Sequence, residues 1–198
     1  MRKPVILASA SPRRADILKK YSVDFIQIPS GADESGAFSV EESAMKNAEI
    51  KAEDLSGKYP DQIIIAADTV IEFQHQIIGK PADPEDAFRI LKRLAGKKHL
   101  VTTGVAIHWR NNRTRIIFAE LSEVTFKPLT DPEIKTYMSL VNVMDKAGAY
   151  ALQEHPELLI ESVVGDPENV IGLPRRAIES IRYLQTLQEK SHSNGADS

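Results

Sequence analysis

Pro4-Val5-Ile6-Leu7-Ala8-Ser9-Ala10-Ser11-Pro12-Arg13-Arg14 joins an apolar run directly to a hydroxyl-rich, basic turn. Val5 to Ala8 is an apolar run of strand length, and it ends at hydroxyls. Ser11-Pro12 then opens a helix, because serine is a favoured N-cap and proline fits the first helical position. Arg13 and Arg14 fall in that helix's first turn. Helix N-terminal N–H groups, hydroxyls and guanidinium forks together suit a phosphate. The remaining sequence is read outward from this turn by asking what would complete such a site.

Downstream, strands and helices alternate. Phe25 to Ile28 reads as a strand and Pro29 to Gly36 as a loop carrying Asp33 and Glu34. Ser39 with Glu42 forms a capping-box pattern. Val40, Ala44, Ala48, Ala52 and Leu55 then recur at helical spacing, with Lys51 at the flank of that face. Ile63 to Ala67 predicts a central strand covered on both faces, stopping at Asp68-Thr69. Val70 to Phe73 and Gln76 to Ile78 suggest a short hairpin closed by Gly79-Lys80-Pro81. Asp83-Pro84 starts a helix with Ala87, Leu91 and Leu94 inward. Residues 99–109 and 114–126 read as a hairpin with Asn111-Asn112 at its tip. Thr130 and Glu133 open a helix to about Val141, and Leu158 to Val164 predicts a strand. Gly172-Leu173-Pro174 begins the last helix, which ends near Gln188. The expected class is α/β: a mixed twisted sheet flanked by helices, in two lobes with a cleft between them. One catalytic domain is expected over residues 1–188, followed by a polar, disordered tail over 189–198.

Composition bounds the partners. The chain has 198 residues, 42% hydrophobic and 27% charged, with a formal net charge of −3. That balance argues against a broad nucleic-acid-binding surface but not against a small phosphorylated ligand, which needs only a local cluster of cations. The absence of cysteine excludes disulfides and zinc–thiolate sites. No apolar run approaches a membrane span and the start lacks a signal-peptide core, so a cytoplasmic location is expected.

In α/β sheets ligands bind at the carboxyl ends of strands. Three junctions of that kind carry polar residues: Ser9, Ser11, Arg13 and Arg14; Asp68 and Thr69; and Gly79-Lys80-Pro81. Together they suggest phosphoryl transfer, with cations holding a polyphosphate and a carboxylate holding a divalent metal or activating water. Each has a plainer reading. Ser11-Pro12 could be only a cap, and the arginines only solvated charge. Lys51 could snorkel along its helix, and Asp145-Lys146 could be a surface ion pair of little worth. The five histidines show no ligand spacing. Neither a Walker loop nor a G-x-G-x-x-G is present.

Taken together, the runs Leu7 to Arg14, Ala67 to Val70, Gly79 to Pro81, Leu94 to Gly96, Thr103 to Val105, Asp145 to Tyr150 and Gly172 to Pro174 resemble the Maf family of nucleoside triphosphate pyrophosphatases. They stand in the family's order and cover about residues 4–185. The resemblance implies hydrolysis of a nucleoside triphosphate between its α- and β-phosphates. It implies Asp68 as general base and a divalent metal, Mg²⁺ or Mn²⁺, with Asp68 and Glu34 as ligands. Ser9, Arg13, Arg14, Lys51 and Lys80 match phosphate-contacting positions. Arg13, Thr69 and Gln153 match positions linked to substrate choice. A homodimer is implied as well.

Asp145 to Tyr150 followed by Gln153 looks like the branch that favours dTTP and UTP. Two departures border the expected base pocket: Asn142-Val143 replaces a usual Glu-Pro, and Glu154-His155-Pro156-Glu157 replaces a usual Gly-rich turn. Two other readings stay open from sequence: a nucleotide-binding regulator without significant catalysis, and a pyrophosphatase of the 7-methyl-GTP or ITP type.

Overall fold

A computed structural model of the chain describes residues 3–33 and 39–193. In chain order its elements are β1 (Val5–Leu7), α1 (Pro12–Lys20), β2 (Phe25–Gln27), α2 (Val40–Ser56), β3 (Ile64–Phe73), β4 (Gln76–Ile78), α3 (Pro84–Leu94), β5 (Lys98–Trp109), β6 (Thr114–Phe126), α4 (Asp131–Leu140), α5 (Pro156–Leu159), β7 (Ile160–Val164), α6 (Pro167–Ile171) and α7 (Arg175–Ser193). The strands form one mixed sheet in the order β2-β1-β3-β5-β6-β7, with β4 also pairing β3. β1 runs parallel to β2 and β3, and the remaining pairs are antiparallel.

Strand alternation distributes the core. Leu7, Ile65, Ala67, Val105 and Ile107 face α1 and α7, meeting Ile17, Leu18, Ile178 and Ile181. Ile6, Ala8, Ile64, Ala66 and Ala106 face the other way, onto Ala48, Ala52 and Leu55 of α2. A further core gathers the distal half of β3 with α3 and α4, through Ile71, Phe73, Leu91, Leu94, Phe126, Ile134 and Tyr137. The first two cores cover opposite faces of one half of the sheet and form one lobe, the further core forms the other, and the same long strands run through both.

The caps act as their sequence suggests. Asp83 accepts the Asp86 N–H at 2.7 Å, and Ser39 Oγ accepts the Glu42 N–H at 3.1 Å. The Glu133 carboxylate takes both the backbone N–H and the hydroxyl of Thr130, each at 2.7 Å. Ser11 occupies the N-cap of α1 with Pro12 next, but its hydroxyl makes no capping bond.

Three expectations are corrected, and one further element appears. The strand of Ile63 to Ala67 does not stop at Asp68-Thr69. β5 pairs with β3 continuously from Ile64↔His108 to Glu72↔Leu100, so the backbone passes straight through Asp68 and Thr69. The segment from Leu158 is divided: Pro156 starts a helical turn, α5, and β7 begins at Ile160. A short helix, α6, lies between the expected strand and the last helix, in a stretch to which the sequence reading assigns no element. Its signature is the same cap-then-proline pair as at Asp83-Pro84, since Asp166 Oδ1 accepts the Glu168 N–H at 3.0 Å with Pro167 between them. Finally, α7 continues to Ser193, so the expected tail over 189–198 is helical up to that residue. Gln185 and Gln188 are buried against the body, which docks the helix beyond its apolar stripe.

Candidate active site

The long β3 has an uncovered stretch on one edge. Its parallel neighbour β1 ends with Leu7 opposite Ile65, and β4 joins the same strand only from Ile71 onward. Between those two partners lie Asp68 and Thr69. Here the chain leaves β1 for the turn at Ser9 and α1, and a cleft of about 950 Å³ opens. It lies between the two lobes.

Alternation sends Asp68 and Thr69 to opposite faces. Asp68 turns toward α2. Its Oδ1 accepts from Lys51 Nζ at 2.9 Å and its Oδ2 from Asn47 Nδ2 at 3.1 Å. Asn47 and Lys51 are four apart, so both project from one helical face. α2 can come this close because of Gly104, which is paired with Asp68 in the sheet. A Cβ on Gly104 would lie 2.2 Å from the backbone carbonyl of Ala44.

Thr69 turns toward α1 and α6, where it meets Arg14. The Arg14 fork donates to Gly172 O at 2.9 Å through Nε, to Ser9 Oγ at 2.9 Å through Nη1 and to Thr69 Oγ1 at 3.1 Å through Nη2. Ser9 Oγ also accepts the Ser11 N–H at 3.2 Å, which leaves its own O–H to donate into the cleft. Thr103, fully buried, donates to Asn169 O at 2.9 Å. Its proton being committed there, the 3.0 Å bond between Thr69 and Thr103 is donated by Thr69. The order is Arg14 to Thr69 to Thr103 to the α6 backbone.

The far wall is the turn Asp145 to Gln153. Arg13 Nη1 pairs with Asp145 Oδ2 at 3.3 Å. Burial pushes the Asp145 carboxyl up, but Lys146 and then Arg13 outweigh it and hold it below the usual carboxylate range. The Gly148 N–H donates to Gly79 O at 3.0 Å, tying this turn to the one that bears Lys80. Gly148 has φ +70, and a Cβ there would lie 2.7 Å from Ile71 Cδ1. Behind the wall, Tyr150 OH and His99 Nε2 are 2.8 Å apart in a buried cluster with Phe126. Burial lowers the His99 pKa to about 4 and raises that of Tyr150 above its ordinary value.

The structure thus brings Ser9, Arg13, Arg14, Lys51, Asp68, Thr69, Lys80 and Gln153 to one cleft. Lys80 and Gln153 are exposed on its rim. Glu34 lies outside the described residues; Asp33 is exposed and does not line the cleft. Two expectations change. Asp68 and Thr69 stand in mid-strand rather than at a strand's end. Asp145-Lys146 is no loose surface pair, since Lys146 is only 4% exposed. Sequence reasoning missed Asn47, whose signal was its spacing from Lys51. It also missed Thr103 and Asn169, whose roles come from tertiary contacts that no local pattern encodes.

The family model described as "Maf-like protein" matches residues 4–187. The chain belongs to the Maf family. Among its Maf relatives, a dTTP/UTP pyrophosphatase of Akkermansia muciniphila is 46% identical over 177 residues, covering 88% of this chain and 93% of the relative. The dTTP/UTP pyrophosphatase of Halalkalibacterium halodurans is 43% identical, covering 87% and 90% respectively. That of Pyrococcus furiosus is 42% identical with the same coverage, 87% and 90%. Among solved structures, a HAM1 protein from Coxiella burnetii aligns over 94% of this chain and 98% of its own, with a TM-score of 0.43 and 13% identity.

Proposed function

We propose that this Maf-family chain hydrolyses the α–β phosphoanhydride of dTTP and UTP, releasing the nucleoside monophosphate and pyrophosphate. The observation that carries the reading is the convergence of Asp68 with Ser9, Arg13, Arg14, Lys51 and Lys80 on one cleft between two lobes. The names of the relatives supply the substrate class. Cations on three elements surround the space a triphosphate would take, so phosphate charge is met by preorganised donors. Water adds to phosphorus, its proton passes to the Asp68 carboxylate, and the α–β P–O bond breaks as pyrophosphate departs. Asn47 and Lys51 fix both oxygens of Asp68, which orients the base without consuming all its lone pairs. Gln153, exposed on the rim of the cleft, would present an amide with both donor and acceptor to the nucleotide's base.

A divalent metal fits this donor set. Asp68 retains acceptor capacity, and Mg²⁺ uses one or two carboxylates with phosphate oxygens and water rather than an all-protein cage. Among the described residues no group of three or more His, Cys, Asp or Glu stands ready to hold an ion. Asp68 would be one ligand and Glu34 the second, and the metal, Mg²⁺ or Mn²⁺, would neutralise charge developing on the phosphates. The working form is read as a cytoplasmic homodimer acting on free nucleotides, with no nucleic-acid or membrane partner. Among the described residues no helix is long and apolar enough to cross a membrane.

A nucleotide panel with Mg²⁺ and a pyrophosphate readout tests the activity. UTP and dTTP should be turned over fastest, and EDTA should abolish release. Asp68→Asn should lower kcat by about a thousandfold, as loss of a general base does, while thermal melting and nucleotide binding stay close to wild type. Unimpaired turnover in Asp68→Asn would remove Asp68 from the chemistry. Sedimentation velocity checks the dimer.

A further inference from the structure

Lys146 lines the cleft with the other cations, yet its surroundings set it apart. It is 4% exposed. Its ammonium donates to Asn142 O at 2.6 Å and to Asp145 Oδ1 at 2.8 Å, and it pairs with Glu154 Oε1 at 3.3 Å. One positive charge is therefore enclosed by two carboxylates and a carbonyl. Its three N–H donors are taken up by those three groups, whereas Lys80 is exposed on the rim. What Lys146 holds is informative. Asp145 gives its other oxygen to Arg13 at 3.3 Å, on the side of the phosphate turn. Glu154 directly follows Gln153, the cleft-lining amide that the proposed reading assigns to the base.

We infer that Lys146 is a positioning residue that couples the two ends of the cleft, setting Arg13 through Asp145 and Gln153 through Glu154, so that nucleotide selectivity depends on it although it touches no substrate. A buried ammonium suits this task. Asp145 and Glu154 would repel one another without it, and one carbonyl plus two carboxylates define its place. The Glu154 arm acts on the base end alone, and the Asp145 arm on the phosphate end alone. The inference rests on the proposed pyrophosphatase reading, which assigns those two ends.

The test uses two probes. The ratio of kcat/KM for UTP over CTP reads the base end, and inhibition by inorganic tripolyphosphate, which has no base, reads the phosphate end. In the full chain, Lys146→Met should lower the ratio about tenfold and weaken tripolyphosphate several-fold, as expected for members of one network. Glu154→Gln should lower the ratio several-fold while leaving tripolyphosphate inhibition within about twofold. Lys146→Arg, which keeps the charge, should recover most of both. A residue that served folding alone would lower activity toward all nucleotides equally. Folded Lys146→Met and Glu154→Gln proteins that keep the UTP-to-CTP ratio would overturn the coupling; so would a Lys146→Met that affects only tripolyphosphate. Should Lys146→Met fail to fold, Glu154→Gln decides. Should the wild type release pyrophosphate from no nucleotide, the functional reading fails by itself. Calorimetry then still decides: the binding preference for UTP over CTP should fall in both Lys146→Met and Glu154→Gln, with tripolyphosphate binding weakened in Lys146→Met alone, and an unchanged preference in both overturns the coupling.

Discussion

At the scale of single residues, the cleft depends on where protons are held as much as on where charges lie. Arg14 is anchored on Ser9 Oγ, Gly172 O and Thr69 Oγ1, and Thr69 is in turn supported from behind. Thr103 gives that support from full burial, taking the Thr69 proton and passing its own to Asn169 O. Thr103→Val preserves shape but strands both partners, and leaving buried polar groups unsatisfied costs about 1–3 kcal/mol. The expected result is a lower urea midpoint together with a raised KM for nucleotides, because the Arg14 fork loses its fixed plane. Thr103→Ser, which retains the hydroxyl, should restore KM more completely than it restores stability. If Thr103→Val lowers stability without raising KM, Arg14 does not depend on this relay. The sequence shows Arg14 and Thr69 as polar residues at junctions, but the bond between them spans 55 positions and appears only once the sheet is assembled.

At the scale of elements, the Asp68 carboxylate is placed by a close approach of helix to sheet. α2 presents Ala44, Ala48 and Ala52 to the strands, all fully buried, and crosses over Gly104. Small residues on both sides let Asn47 and Lys51 reach Asp68. In Gly104→Ala the new methyl meets the Ala44 carbonyl at 2.2 Å, and backbone cannot swing aside as a flexible side chain would. Overpacking of this kind costs about 3 kcal/mol, which for a chain of this size lowers Tm by about 6–12 °C. Calorimetry should show that loss, and steady-state assays should show kcat falling with it as Lys51 withdraws from Asp68. An unchanged Tm would mean that α2 has slack the packing does not reveal. Much at this scale was legible in sequence: α3 from Asp83-Pro84 and its apolar spacing, and the β5–β6 hairpin from its two strand-length runs. The continuity of β3 was not. A carboxylate after an apolar run looks like a strand's end, and only pairing with β5 carries the backbone past it. α6 was overlooked because five residues are too few for a periodic stripe, leaving its cap as the sole signal.

At the scale of the whole molecule, the second lobe carries a built-in sensitivity to acid. His99 sits 2% exposed between Phe126 and Tyr150, directly behind the cleft wall. Burial lowers its folded pKa from 6.5 to about 4. Between those values the unfolded chain binds a proton that the folded chain does not, so stability falls as pH drops through this window and rises as pH climbs back. The gap corresponds to about 3 kcal/mol, fully lost only below pH 4. His108, also lowered by burial although Glu53 opposes the effect, acts in the same direction. Carboxylates act at lower pH. Glu168 is held below its ordinary pKa despite burial by hydrogen bonds from Lys20, Tyr21 and Arg175. Its stabilisation is present above the unfolded carboxylate pKa and is lost as pH falls below about 4. The two regimes separate experimentally. Urea unfolding from pH 7 to 4 should show the wild type losing stability steadily, while His99→Gln, which can still bond the Tyr150 hydroxyl without titrating, should follow a much flatter line. The two proteins should then decline in parallel below pH 4, where the carboxylates take over. Equal slopes for both between pH 6.5 and 4 would show that folded His99 takes up the proton as readily as the unfolded chain does, and that burial behind Tyr150 does not exclude it.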